Sequence, residues 1–315
     1  MIVNVKGEEV KLPDFFIIGA SRGGTTTLYF LLNQHPNIFF PEQKEPFFFS
    51  FNEQPPPYKD SDLSGIGGKK VIWKFEDYVK LFEIAKDDQI IGESSTSYLY
   101  TYDLSIEHMR SLYGEKCKEV RIVAVLRNPV DRAFSHYLLL VKSGREPFPF
   151  EKAIHPPIIE RRLAKLWDYD YIEYGMYYKR IKAYMDTFQH VKIYLFEDLL
   201  EPKRLLEDLF TFLGIDSDIT IDTNIMANPS GVPASRLFVH FLLKAPKYGR
   251  IFIPGKYRLQ LVRIRDALLR RLMKRPRMER ATRKKLIDVF RSDVLELQKL
   301  IHRDLSPWLE EENES

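Results

Sequence analysis

Two short stretches of the chain carry residue types suited to gripping phosphate. In Gly19-Ala20-Ser21-Arg22-Gly23-Gly24-Thr25-Thr26, Gly19 and Gly24 have the G-x-x-x-x-G spacing of a nucleotide loop, and Thr26 stands at its hydroxyl position. Free backbone N–H groups in such a loop, together with the dipole of the helix that follows, attract an anion. The lysine expected after the second glycine is Thr25, and the loop's cation is Arg22 instead. This composition suits a phosphate but not the β/γ-phosphates and Mg²⁺ of a nucleoside triphosphate. The second stretch is Arg127-Asn128-Pro129-Val130-Asp131-Arg132-Ala133-Phe134-Ser135-His136-Tyr137. Arg127 closes an apolar run and Ser135 lies on the helix that follows, so a guanidinium and a hydroxyl can converge on a second, separate phosphate. Taken singly, each stretch also reads as an ordinary element boundary. Together they describe one site with two anion seats.

The elements that must carry these residues are legible in the hydrophobic pattern. FFIIG (15–19), QIIG (89–92), VRIVAVL (120–126) and VKIYLFED (191–198) read as strands, the second and third each preceded by a helix. Helices are expected from Thr25 to just before Pro36, from Pro129 to about Lys142, and over 150–166, 173–188 and 202–213. Strands alternating with helices predict a mainly parallel sheet covered on both faces. Gln54–Lys70, rich in Pro, Gly and Ser, reads as a long loop and a candidate active-site lid. From Ala234 the pattern is helical, broken at Pro246, Pro254 and Pro276, and no internal repeat is present.

With 315 residues, 44% hydrophobic and 29% charged, the chain can bury a full core without staples, which excludes disulfide scaffolds and disordered tails. Its single cysteine, Cys117, cannot bridge internally and suits a reducing compartment as a small buried residue. No apolar run reaches the ~18 residues of a membrane span, and the first residues lack the pattern of a signal peptide. The expectation is a soluble, cytoplasmic protein. The formal net charge of +4 hides an asymmetry, because Phe241–Lys285 holds 16 Lys and Arg against Asp266 and Glu279 alone. Such a stretch is either a solvated helix face or a contact for an anionic membrane surface or polyanion, with the inner membrane face as a peripheral location.

The paired motifs resemble those of sulfotransferases that use 3′-phosphoadenosine-5′-phosphosulfate (PAPS). The likeness runs over roughly 13–308 through KEPFFF, GESSTSYLY, LRNPVDRAFSHY, KIYLFEDL, LFTFLGI and DLSPW. It is nearer to bacterial sulfotransferase-domain enzymes and heparan sulfate sulfotransferases than to the cytosolic small-molecule group. The resemblance implies a P-loop-like three-layer α/β fold with a central parallel sheet and a helical C-terminal region. It further implies one domain over 1–315, with a nucleotide-binding core at 13–233 and a basic helical region at 234–308. PAPS is then the donor and PAP the product, without a metal. Arg22, Gly23, Gly24, Thr25 and Thr26 would bind the 5′-phosphosulfate, and Arg127 with Ser135 the 3′-phosphate. Arg22, where many relatives carry Lys, would act as an electrostatic clamp. Glu45 matches the catalytic glutamate of the heparan sulfate enzymes and is expected to be the general base, although Phe47 replaces the histidine of their motif. Lys44 would touch the transferring group. Glu93 is the second candidate for base or acceptor binding, with Ser94 and Thr96 in place of the family's Lys and Pro. Arg236 is a loose match to a loop that closes over the nucleotide. His136 is read as packing or capping beside the 3′-phosphate helix, His35 as a helix C-terminal residue, and Phe47–Phe51 as core.

The acceptor is expected to offer a hydroxyl or amine on a carbohydrate, glycolipid or other membrane-proximal molecule; nucleic acid is not expected as a partner. A P-loop nucleotide kinase and a non-catalytic polyanion-binding protein are the alternatives. Thr25 counts against the first. The second leaves the placing of Arg127 and Ser135 without a reason.

Overall fold

A computed structural model describes residues 1–51, 54–56, 71–163, 167–223, 232–233, 273–274 and 276–311. At its centre five parallel strands lie in the order β4-β5-β3-β6-β7. These are β3 (Phe15–Gly19), β4 (Ile38–Phe39), β5 (Ile90–Ser94), β6 (Arg121–Leu126) and β7 (His190–Leu195). All five residues of β3 are buried, because helices cover both faces of a parallel sheet and the strand must be apolar throughout.

Alternation along the strands divides the core into two layers. Phe15, Ile17, Val123 and Val125 pack with Leu28, Leu31 and Leu32 of α1 (Thr25–Leu32) and with Leu205, Leu209 and Phe210 of the later helix Pro202–Leu213. Phe16, Ile18, Ile122 and Ala124 face the other way. They join Met109, Ile181, Tyr184, Phe290 and Val294 from the helices Tyr102–Tyr113, Tyr178–Thr187 and Arg280–Ile301. The three-layer α/β architecture expected from the sequence is the one observed.

From β3 the chain runs outward to the edge strand β4, returns to β5 beside β3, and then crosses to β6 on β3's other side. The carboxyl ends of β3, β5 and β6 therefore gather where the direction of winding reverses, the usual crevice for ligands in such sheets. Both candidate anion-binding stretches begin there. The one after β6 opens α2 (Pro129–Lys142), whose N-cap Asn128 accepts the N–H groups of Val130 and Asp131 while Pro129 sets the first turn.

Several elements differ from expectation. A hairpin of β1 (Ile2–Val5) and β2 (Glu8–Lys11) precedes the sheet, turning at Lys6-Gly7 with both residues at positive φ. The expected helix over 150–166 is two, Phe150–Ala153 and Pro156–Leu163, because Pro156 disfavours helical backbone at His155. The strand at 191–198 ends at Leu195 and passes into a 3-10 turn, Phe196–Leu200. Beyond Ala234 the described residues are not all helical, since Met273–Lys274 pairs antiparallel with Val232–Pro233 before the helix Arg280–Ile301. The lid residues 57–70, Arg236 and positions 241–272 of the basic stretch lie outside the described residues.

Candidate active site

The glycine loop hugs the sheet. Ala20 N–H donates to the Val125 carbonyl at 2.8 Å, and Gly23 N–H to the Ala20 carbonyl at 2.8 Å. A Cβ on Gly23 would stand 2.2 Å from the Val125 oxygen, so only glycine lets the loop lie this close to β6. Gly24, at φ +105°, opens α1, whose first turn has neither a capping side chain nor an acidic residue. Such a helix start is suited to an anion.

Arg22 adopts φ +67° and sends its Nε–H to Ser135 Oγ at 3.0 Å. The loop and the helix after β6 are thereby joined, although 113 residues separate the two partners. Arg127 reaches back, with Nη1 3.5 Å from the Arg22 carbonyl oxygen. Burial, and after it the charge of Arg127, holds the Arg22 guanidinium below the usual arginine range. Two cations kept together in this way form a seat that an anion would stabilise. Lys44 completes one side, donating to Thr26 Oγ1 at 3.0 Å and standing over the Tyr29 ring.

Glu45 is half-buried beside the end of β5. Its backbone N–H donates to the Ser94 carbonyl at 3.1 Å, and its Oε1 accepts from Thr96 Oγ1 at 3.2 Å. Thr96 stands where the resembling motif has proline, which has no hydroxyl to offer the carboxylate. Glu93 lies elsewhere, with no exposed surface. Its Oε2 accepts the hydroxyls of Tyr78 at 2.6 Å and Tyr98 at 2.9 Å, while Oε1 has no hydrogen-bond partner. Burial pushes its carboxyl up to about 7 against the pull of the Ser95 side chain and of these hydroxyls, and nearby Glu45 pushes it upward as well. Glu93 thus sits in the core behind the site, whereas Arg22, Lys44, Thr26, Arg127 and Ser135 come together in front of it.

The two histidines and the aromatic run are buried. Phe47, Phe48, Phe49 and Phe51 are core, with Phe48 stacked 4.1 Å from Tyr78. His35 sits against Phe210, its Nε2 2.9 Å from the Asp216 carbonyl oxygen. His136 lies 3.3 Å from Arg132 Nη1 and 3.6 Å from Asp168, and burial lowers its pKa despite the carboxylate. Cys117 is buried. Among the described residues, no group of three or more His, Cys, Asp or Glu is placed to hold a metal ion.

A model of the sulfotransferase family matches residues 13–218, more than half of the chain and inclusive of every residue of this site. The chain belongs to the sulfotransferase family. A sulfotransferase from Alicyclobacillus acidocaldarius, solved as a crystal structure, superposes with a TM-score of 0.69 at 29% identity, covering 96% of this chain and all of that one. The membrane-associated sulfotransferase kil1 of Dictyostelium discoideum is 26% identical over 159 residues, 49% of this chain and 30% of that protein. The bifunctional heparan sulfate N-deacetylase/N-sulfotransferase 1 of Mus musculus is 22% identical over 315 residues, 96% of this chain and 31% of that protein. The chain therefore spans about a third of the length of these curated relatives. Membership of this family displaces the nucleotide-kinase reading of the loop.

In this member of the family, motif spacing pointed to neither Thr96 nor Phe196. The Phe196 ring lies 4.6 Å beneath the Arg127 guanidinium, and its carbon Cδ2 would meet a side chain at Gly24. It follows β7 as Arg127 follows β6, so the strand-end logic that singled out Arg127 applies to it equally. Tyr177 adds a hydroxyl donating to the Arg127 carbonyl at 2.9 Å.

Proposed function

We propose that the chain transfers a sulfuryl group from PAPS to a hydroxyl or amine of an acceptor, acting as one domain over 1–315. The observation that carries this reading is the Arg22–Ser135 hydrogen bond, which brings two anion seats side by side at the carboxyl ends of β3 and β6. PAPS bears anions at just two such places, the 5′-phosphosulfate and the 3′-phosphate. The residues present fit them, being two arginines, a lysine, three hydroxyls and an uncapped helix start.

In the transfer, an acceptor oxygen or nitrogen forms the new bond to sulfur, the bridging S–O bond breaks, and PAP departs with its electron pair. The protein's part is to align the reactants and neutralise charge. Arg22, Gly23, Gly24, Thr25 and Thr26 hold the 5′ end, and Lys44, hydrogen-bonded to Thr26, contacts the transferring group. Arg127 and Ser135 hold the 3′-phosphate. A hydroxyl both donates and accepts, so Ser135 can donate to that phosphate while still accepting from Arg22. Arg22 stays charged at neutral pH and serves as a clamp rather than a proton source.

Glu45 takes the acceptor's proton, with Thr96 orienting the carboxylate. It is favoured over Glu93 because its side chain reaches solvent and that of Glu93 does not. The acceptor class is a carbohydrate, glycolipid or other membrane-proximal molecule. Support comes from the names of two relatives, one membrane-associated and one acting on heparan sulfate, and from the basic stretch at 241–285. That stretch would hold the protein at an anionic surface such as the inner membrane face. Among the described residues, no helix is long and apolar enough to cross a membrane.

Calorimetric titration with PAP, with ATP–Mg²⁺ as control, tests the donor assignment on wild type and Arg127→Ala. PAP binding that ATP–Mg²⁺ does not reproduce, weakened about 10- to 100-fold in the variant, is the expected result for a charge-assisted phosphate contact. A folded wild type that ignores PAP refutes it.

A further inference from the structure

Residues from the far end of the described chain reach the Arg127 seat. Trp308, only 5% exposed, lies in the turn Ser306–Leu309 that follows the helix Arg280–Ile301. Its indole Nε1–H donates to Glu197 Oε1 at 3.2 Å, and its backbone carbonyl accepts from Asn128 Nδ2 at 3.3 Å. Asn128 follows Arg127 at the exit of β6, and Glu197 follows Phe196 at the exit of β7. The two strands are parallel neighbours up to the Leu126–Leu195 pair. Trp308 therefore closes across both strand exits at the place where the Arg127 guanidinium stands over the Phe196 ring.

The partners of this tryptophan are themselves fixed. Asn128 Oδ1 is occupied by the N–H groups of Val130 and Asp131, which aims the amide's other end at Trp308. Asp198, in the same turn as Phe196 and Glu197, accepts the Leu195 N–H at 2.8 Å and pairs with Arg303 at 2.9 Å. Tyr177, whose hydroxyl binds the Arg127 carbonyl, packs edge-on against the Trp308 ring at 6.4 Å.

We infer that Trp308, acting through Glu197, is a positioning residue for Arg127. By tying the exits of β6 and β7 it holds the Phe196 ring under the guanidinium and aims that cation at the donor's 3′-phosphate. The inference rests on the donor reading above. An arginine on a free stem gives up rotamer freedom when it binds, whereas one laid flat on a fixed ring has given it up already. Loss of the clasp therefore weakens the hold on the 3′-phosphate and leaves the rest of the nucleotide's binding intact.

The test titrates PAP and adenosine 5′-phosphate, which lacks the 3′-phosphate, into wild type, Trp308→Phe, Glu197→Ala, their double variant and Glu197→Gln. Trp308→Phe and Glu197→Ala are each expected to weaken PAP binding about threefold to tenfold, what one hydrogen bond carries, with adenosine 5′-phosphate unaffected. The double variant should be no weaker than the weaker single one, and Glu197→Gln, which keeps the acceptor oxygen, should restore PAP binding. Glu197 is exposed, so its variants decide the matter even where Trp308→Phe unfolds. Unchanged PAP affinity in Glu197→Ala, equal loss for both nucleotides, or additive losses would overturn the inference. A wild type that binds neither nucleotide refutes the donor reading itself, and does so before any substitution is made.

Discussion

Under the proposed reading, single side chains divide the work of the site between holding anions and moving a proton, and substitution separates the two. Glu45→Gln keeps the size of the side chain and an oxygen for Thr96 while removing the base. The turnover number of the variant is expected to fall by about 10²- to 10⁴-fold, with PAP affinity unchanged. Steady-state rates beside calorimetry check this, and equal losses in both would mean that Glu45 holds the fold of the loop instead. Glu93 makes a different prediction, one about stability. Its carboxyl keeps a proton up to about pH 7 in the folded protein but ionises near 4.5 when unfolded. The unfolded chain thus binds fewer protons between those values, so stability falls as pH rises from 4.5 to 7 and levels off above. Glu93→Gln removes that slope, gaining about 3 kcal/mol on wild type across the window. Denaturant unfolding of both proteins at pH 4.5 and 7.5 measures it, and parallel pH dependence would show that the buried carboxyl does not titrate there.

At the scale of elements, the loop between β3 and α1 depends on a glycine at 23 because the Val125 carbonyl leaves no room for a Cβ. Gly23→Ala must push either the loop or β6 aside, at a cost of about 1–3 kcal/mol in urea unfolding together with weakened PAP binding. Unchanged stability and binding would mean that the loop stands further from the strand. This same contact explains why much of the site was legible from sequence. The strands 15–19 and 121–126 are continuous apolar runs ended by glycine and by Asn-Pro, so the positions of Arg22 and Arg127 at strand exits followed from the pattern alone. The burial of Glu93 did not follow, because Glu93, Ser94 and Ser95 are three polar residues in a row, a pattern that reads as exposed, and the hydroxyls of Tyr78 and Tyr98 that receive the carboxylate come from other parts of the chain. The hairpin at 2–11 was missed because each of its strands is only four residues long and the second, Glu8–Lys11, is mostly charged. The Trp308 clasp was missed for a further reason. Glu197 and Trp308 are 111 residues apart, and no spacing rule reaches that far.

For the whole molecule, charge is distributed so that the 16 basic residues of 241–285 are offset by an acidic excess elsewhere. Sedimentation with anionic vesicles should therefore show binding at low salt that is lost as ionic strength rises, because screening shortens the reach of each charge. Neutral vesicles should not bind. Equal binding to both would assign the interaction to apolar contact instead. The Trp308 clasp has a consequence in time. Asn128 and Trp308 are 180 positions apart, so a ribosome adding about 5–20 residues per second needs roughly 10–40 s to travel from one to the other. Over that interval β6 and β7 are made and free to pair while the residue that spaces their exits is still untranslated. Under the proposed reading, the nascent protein thus holds its sheet, its glycine loop and both arginines well before its grip on a 3′-phosphate reaches full strength.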